Sequence, residues 1–361
     1  MQPIQTSLKL EFTKANADVS ESLLPDLLSF SYSDKETDEA DEISITLKDD
    51  EGKWAGTWQP NAGEIVRAYI LSGTVEKQDK KLYCGKFYVD SMTVAGSPRT
   101  FELKAVSIPL NKPIRRKLKS KAWEKKTLKA IAEEIANEAE IKFIFDSEIN
   151  PEYDRQEQNR ESDMKFLSRL CEEEGLSIKL TDEQLVIFDQ SFYESKPAVQ
   201  TLELGVSDIL SWSFESSQSE TFKSCSISYR DPKQKYKGEA GGEVIGLSEV
   251  KQRAKNNRAV MTYTYVDPNA DENGQEYAIK KRAKSIDDAK RLAKAKLRKL
   301  NMRRVTGNIT VLGDVSLVAG VVIKCVGFGA FDGNFIIESA EHTIGSGYVT
   351  ALSLRRVNND Y

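Results

Sequence analysis

The chain has 361 residues, of which 39% are hydrophobic and 30% charged, and its formal net charge is −4. That length predicts two or three domains, each able to bury a core, and the charge balance argues against bulk attraction to nucleic acid or anionic membrane. No apolar run approaches the roughly 18–20 residues of a membrane helix, so no stable membrane insertion is expected. Cys84, Cys171, Cys225 and Cys325 form no CxxC or CxxH pair, which predicts reduced thiols rather than a zinc or redox site.

The N-terminal sequence has no basic stretch followed by an apolar one, so no secretory signal is expected. The first hundred or so residues read as β. Ile43, Ile45 and Leu47 alternate with Ser44, Thr46 and Lys48, the period of a half-buried strand. Further strands are predicted at 66–71, 83–94 and 100–106, separated by turn chemistry such as Gln59-Pro60-Asn61 and Ala95-Gly96-Ser97-Pro98.

The texture changes at Asn111-Lys112-Pro113. An amphipathic helix is predicted over 124–140, with Leu128, Ile131, Ala132, Ile135, Ala136 and Ala139 on one stripe. A short strand at 141–145 follows. A second helix, 162–174, carries Phe166, Leu167, Leu170 and Cys171 on its apolar face, and Gly175 stands where a left-handed cap belongs. Residues 176–180 and 185–188 read as a hairpin around Thr181-Asp182-Glu183.

Strands return at 209–214 and 224–229. The polar stretch 231–246 reads as a loop or insertion, 248–255 as a short helix and 260–266 as a strand. Ser285-Ile286-Asp287-Asp288 looks like a capping box opening a helix to about Leu300, whose apolar face is Ala289, Leu292, Ala293, Leu297 and Leu300. Strands resume at Thr306 and run to the C-terminus.

Two segments echo one another. Gly63-Glu64-Ile65-Val66 precedes Gly85-Lys86-Phe87-Tyr88, as Gly320-Val321-Val322-Ile323 precedes Gly333-Asn334-Phe335-Ile336, and each copy ends in a turn and an alternating strand. The expectation is a duplicated β module. Three such chains would offer six similar units in a ring, able to meet a sixfold object.

Catalytic signals are weak. His342 is the single histidine, so any Ser-His-Asp or Cys-His pair would have to use it, and it reads as structural. Glu172, Glu173 and Glu174 fan around a helix and read as a solvated face. There is no GxxxxGK[ST] loop, and Gly238, Gly241 and Gly242 lie in a polar loop with no strand before them. No cofactor, metal or small-molecule substrate is expected. Residues 34–51 carry nine acids against two bases, and 280–304 twelve bases against two acids. Each is either a solvated face or one half of a contact that sets register. The basic helix has no interleaved aromatic platform, which argues against nucleic acid. Thr127-Leu128-x-x-Ile131-Ala132 has a faint likeness to a peptidoglycan-binding LysM module.

Three stretches resemble a known family, the late control protein D hubs of contractile-tail phages and tailocins, which includes the hub half of type VI secretion spikes. The run Glu161-Ser162-Asp163-Met164-Lys165-Phe166-Leu167-Ser168-Arg169-Leu170, continuing to Glu173-Glu174-Gly175-Leu176, is similar to the family's ESD-helix. Phe331-Asp332-Gly333-Asn334-Phe335-Ile336-Ile337 with His342 resembles its Gly-x-Phe strand, and Gly347-Tyr348-Val349-Thr350 resembles its closing strand. The resemblance implies a non-enzymatic structural role. It implies a mainly β fold with two tube-like β-barrels at 1–112 and 197–361, an α+β domain at 113–196 between them, and a helical insertion at about 231–300 in the second barrel. It also implies a homotrimer joining a hexameric tail tube to a trimeric spike in a virion or tailocin baseplate, assembled in the host cytoplasm. Other baseplate proteins are expected around it, and tape-measure protein or DNA is expected to pass the lumen. The chain ends at Tyr361, soon after the second expected barrel, which implies a separate spike protein. Asp163, Phe166, Leu167, Leu170, Gly175, Gly333, Phe335, His342 and Tyr348 are the expected structural residues. Asp34, Glu36, Asp38, Glu39 and Asp41, with Arg298, Arg303 and Arg304, are candidates for lumen or interface charge. The rival readings are a cell-wall-binding module and a peptidoglycan-degrading one.

Overall fold

The computed structural model describes residues 4–12, 17–18, 20–37, 40–74, 77–108, 113–181, 184–217, 221–235, 243–245, 248–255, 258–268, 270 and 274–358. Asp38, Glu39, Asn111, Lys112, Asp182, Glu183, Gly238, Gly241 and Gly242 lie outside them.

Residues Met1–Ser168, Ser177–Phe214 and Gly307–Leu354 make a first unit. Its N-terminal strands are β1 (Ile4–Phe12), β2 (Ala17–Asp18), β3 (Leu27–Lys35), β4 (Glu42–Lys48), β5 (Ile65–Thr74), β6 (Lys77–Ala95) and β7 (Thr100–Val106). In β4 the predicted alternation holds: Ile43, Ile45 and Leu47 are buried, and their neighbours are not. Phe30, Phe87, Phe101 and Leu103 join them in one core. Burying each such side chain contributes roughly 1.5–3 kcal/mol.

The middle of the chain supplies β8 (Lys119–Thr127), helix Leu128–Glu138, β9 (Lys142–Asp146), β10 (Glu152–Glu161), helix Asp163–Glu174, β11 (Ser177–Leu180) and β12 (Gln184–Phe188). β8 and β10 pair antiparallel, and β11-β12-β9 form a three-stranded sheet. The first helix starts at the first residue of its apolar stripe, four residues later than the predicted 124, because residues 119–127 are spent on β8. Thr127 then caps the helix, accepting a hydrogen bond from the Ala130 N–H at 3.2 Å.

The chain continues through β13 (Gln200–Glu203), β14 (Ile209–Ser216), β15 (Phe222–Lys235), β16 (Glu243–Ile245), β17 (Ser248–Lys255), β18 (Arg258–Val266), β19 (Gln275–Ala283), helix Ile286–Asn301, β20 (Val305–Leu312), β21 (Val322–Val326), β22 (Gly333–Ile344) and β23 (Tyr348–Arg356). The two-barrel expectation fails here. Thirteen strands form one sheet in the order β14-β20-β23-β22-β3-β4-β7-β6-β5-β1-β2, with β21 on β22 and β13 on β21. Among the described residues its end strands do not pair, so no sheet closes into a barrel. β22 lies against β3, with Ser339 opposite Lys35 and Ile344 opposite Phe30. The two echoing segments therefore belong to one open sheet rather than to two duplicated barrel domains. The sixfold argument built on two barrels per chain falls with them. Alternation told which face of each strand is buried, but not which strand lies beside it. What survives of the echo is local: Gly85 and Gly333 take φ of 131° and 136°, a backbone that other residues avoid.

The second unit comprises Arg169–Leu176, Glu215–Thr306 and Arg355–Tyr361. Its sheet runs β16-β17-β18-β15-β19. Cys225, Ile227, Tyr229 and Tyr263 pack against Ala289, Leu292, Ala293 and Leu297 of helix Ile286–Asn301. The capping box is present: the Ser285 hydroxyl accepts from the Asp288 N–H at 3.2 Å. Residues 248–255, expected as a helix, form a strand paired with β18, and much of the expected loop at 231–246 is strand as well. Pairing with a neighbouring strand overrides a weak local helical preference.

Candidate functional site

The ESD-like segment is an anchored helix start. Asp163, buried in the first turn, accepts from Gln158 Nε2 at 2.8 Å and pairs with Lys119 at 2.6 Å. A carboxylate at a helix N-terminus also meets favourable peptide dipoles. Phe166 is fully buried and stacks on Trp123, with ring centroids 6.0 Å apart, and Leu167 is buried beside it. Leu170 and Cys171, further along the same helix, are also buried. Gly175 has φ +78°, and the Leu176 N–H reaches back to the Cys171 carbonyl at 2.8 Å, the left-handed cap predicted from sequence. A Cβ at this glycine would stand 2.5 Å from Ala295 Cβ, so close packing as well as backbone conformation demands glycine.

The second and third motifs meet at the single histidine. His342 is fully buried on β22, its Nδ1 is 2.8 Å from the Tyr348 hydroxyl and 3.3 Å from Thr350 Oγ1, and its ring stacks on Tyr32. Burial pushes its pKa down to about 4, against the opposing influence of Asp34 and Asp314, so the ring is neutral at pH 7. Burial also raises the Tyr348 hydroxyl far above its ordinary range. The histidine has no access to solvent and its ring lies between those of Tyr32 and Tyr348. Gly333 opens β22, and Phe335 is fully buried against Phe214 at 5.2 Å.

The acidic stretch is not simply a solvated face. Asp34, Glu36 and Asp41 are each 7% exposed. Lys179 on β11 donates to Asp34 Oδ1 at 3.1 Å and to the Lys35 carbonyl at 2.5 Å, and lies 3.5 Å from Asp41 Oδ1. Asp34 Oδ2 accepts from the Ala319 N–H at 2.9 Å, and Asp41 from the Lys35 N–H at 3.0 Å. One lysine thus ties β11 to β3. Burial pushes Asp41 up to about 6; Lys179 opposes the shift and Asp34 adds to it. Burial alone would lower the Lys179 pKa, but the two carboxylates raise it above the ordinary value. No sequence signal marks this node: in Ser177-Ile178-Lys179-Leu180, the lysine occupies an outward position of an ordinary alternating strand.

The three consecutive glutamates also differ from expectation. Within the second unit Glu174 is 4% exposed and paired with Arg291, Glu173 meets Lys281, and Glu172 lies 3.1 Å from Lys299. Glu174 is buried against the basic helix, Glu173 meets a lysine of β19, and Glu172 stays exposed beside the helix. Of the predicted arginines, Arg303 is exposed, and Arg298 and Arg304 are half-buried at the end of that helix. The LysM-like residues Leu128, Ile131 and Ala132 are fully buried core.

Among the described residues no cluster of three His, Cys, Asp or Glu side chains could hold a metal, and all four cysteines are buried free thiols. A cavity of about 550 Å³ in the first unit is walled by Lys179, Val186, Phe188, Tyr193, Val199 and Val322, without a nucleophile–base pair. The more conspicuous surface is the sheet edge. β14 ends the thirteen-stranded sheet, and Leu210 and Trp212 on it, with Leu312 on neighbouring β20, are about half exposed. The strand itself was expected from sequence; that its apolar residues would be left uncovered was not.

Comparison with known proteins agrees with this structural picture. The "Probable baseplate hub protein" of Escherichia phage P2 is 28% identical over 167 residues, 45% of this chain and 41% of that protein, so the match spans about two fifths of the relative's length. The 43 kDa tail protein of prophage MuSo2 from Shewanella oneidensis shares the fold at a TM-score of 0.69 and 13% identity, covering 98% of each chain. A component of the Escherichia coli type VI secretion system, described as similar to the T4 tail proteins gp27 and gp5, has a TM-score of 0.56 at 13% identity, covering 93% of this chain and 75% of its own. The model of the family described as phage tail baseplate hub (GPD) matches residues 89–348, well over half of the sequence, and the chain therefore belongs to that family.

Proposed function

We propose that the protein is a structural adaptor of a contractile-tail baseplate, in which three copies form a ring between the tail tube and the spike. The family match over residues 89–348 carries this reading. The uncovered apolar edge at Leu210, Trp212 and Leu312 supports assembly, because large exposed apolar groups at the edge of a sheet belong to surfaces that become covered. The work of such a part is buried area and rigidity, with roughly 2,000 Å² or more covered at each obligate interface. We assign Arg298, Arg303 and Arg304 to a contact with a neighbouring subunit, and take tape-measure protein or DNA as what passes the lumen.

The test is assembly. Light scattering on the purified chain, alone and mixed with the tube and spike proteins of the same tail, should give a three-chain particle that binds both. A chain that remains monomeric in all mixtures, or binds neither protein, would overturn the proposal. Release of soluble fragments from peptidoglycan would instead favour a lytic role.

A further inference from the structure

The cavity of about 550 Å³ in the first unit is walled by apolar groups from three segments: Val186 and Phe188 on β12, Val322 at the start of β21 and Val199 just ahead of β13. Its size is that of a ligand pocket. Phe188 and Val322 are buried, whereas Val199 is 56% exposed and marks the mouth. Three rings lead outward from the wall. Phe188 meets Tyr193 at 5.2 Å, and Tyr193 meets Phe192, itself 57% exposed, at 5.6 Å. The Tyr193 hydroxyl donates to Asp146 Oδ2 at 2.6 Å, which fixes its ring. Lys196, also at the mouth, stands with Nζ 4.1 Å from the Tyr193 centroid and 5.1 Å from that of Phe192, and it forms no ion pair with a described residue. The other charges in the lining are engaged: Lys179 by Asp34 and Asp41, and Glu36, which is buried. From Val199 the chain enters β13, which pairs with β21 on one side and with no described strand on the other. Thr201 and Glu203 on this strand are exposed.

We propose that the cavity and the free edge of β13 together bind an extended segment of another protein, one that carries a large apolar side chain and, two residues away, a carboxylate. The apolar side chain fills the cavity against Val186, Phe188 and Val322. Main-chain groups of the segment pair with the open edge of β13, the strand addition by which extended peptides gain affinity while a pocket supplies selectivity. Residues two apart lie on one face of an extended chain, so the carboxylate shares the face of the apolar anchor and meets Lys196 beside the mouth. A fatty acid would match the apolar wall and the lysine but would leave the strand edge unused. Neither the cavity nor the edge depends on the baseplate assignment.

The experiment is fluorescence anisotropy of a labelled threonine-rich decapeptide with a central Leu-Thr-Asp, mixed with the full chain. Serine in place of the peptide's leucine should weaken binding about tenfold or more, the loss of one buried apolar side chain. N-methylation of alternate peptide residues should weaken it roughly fivefold in one of the two possible sets and leave it unchanged in the other, since only one set of N–H groups faces β13. Lys196→Gln should cost about threefold with this peptide and nothing with one carrying asparagine for aspartate. Val186→Phe, which fills the cavity, should weaken binding about tenfold. Val199→Asp at the exposed mouth should do so without touching buried core, by setting a like charge beside the peptide's aspartate. An unchanged circular dichroism spectrum checks the fold of each variant. Absence of peptide binding at millimolar concentration overturns the proposal, and so does N-methylation that is silent in both sets. Laurate that binds more tightly than the peptide and is blocked by Val186→Phe would give the cavity to a lipid. Self-association of the chain that Val199→Asp abolishes would give it to a second copy. Either result overturns the proposal equally.

Discussion

Replacing Lys179 by methionine isolates the ion node that ties β11 to β3. The aliphatic stem is kept and the charge removed, leaving Asp34 with the Ala319 N–H and Asp41 with the Lys35 N–H. The carboxyl of Asp41, already at about 6 in the intact node, would rise further and take up a proton. Neutralising it at pH 7 costs about 1.4 kcal/mol for the one unit between its pKa and the solution. Loss of the charged hydrogen bonds to Asp34 and to the Lys35 carbonyl adds roughly 2 kcal/mol. The variant should therefore be about 3–4 kcal/mol less stable at pH 7, close to what removing one member of a buried pair costs elsewhere. At pH 5 Asp41 is already protonated in the wild type, so the deficit should shrink to about 2 kcal/mol. Urea unfolding of both proteins at the two pH values measures this. Adding Asp41→Asn should recover more stability at pH 7 than at pH 5, because the unfolded carboxyl, with its ordinary pKa of 3.8, gains more from ionisation at the higher pH. A deficit below about 1 kcal/mol that is the same at both pH values would refute the argument, because it would mean that the node is open to solvent.

His342 gives an opposite pH signature. Its folded pKa of about 4 lies below the ordinary 6.5, so the unfolded chain binds the extra proton; this stabilisation is present above pH 6.5 and lost as pH falls to 4. The loss is up to about 3 kcal/mol, and the raised pKa of Asp41 offsets part of it between about pH 6 and 4. Because the chain has one histidine, its NMR ring signal should show no titration above pH 5, whereas a midpoint near 6.5 would contradict the burial. Gly175→Ala should cost about 2–3 kcal/mol through its left-handed backbone and the contact with Ala295, and Ala295→Gly should restore only the contact part. Trp212→Ser on the exposed edge should leave monomer stability within about 0.5 kcal/mol yet weaken self-association, read by light scattering at matched concentrations.

How far the fold could be read from sequence depended on the range of the forces involved. The Ser285 cap, the Gly175 cap and the alternation of Ile43, Ile45 and Leu47 are local, and each was legible. Strand neighbours are not local: nothing in Gly333–Ile344 announces that it will lie against Leu27–Lys35, and the echo between two Gly-x-Phe strands pointed to separate barrels instead. β8 was hidden because a single buried Trp123 among lysines and a glutamate gives no period. The motif residues around Asp163 and His342 were found by resemblance. Their partners, Lys119, Gln158 and Tyr32, come from other segments and became visible only in three dimensions.

The adaptor proposal is tested most directly by cryo-electron microscopy of the intact tail, reconstructed without imposed symmetry. Three copies of this chain in a ring where the tube meets the spike is the predicted result. A tail in which the chain is absent from that junction, or present there as a single copy, would contradict it.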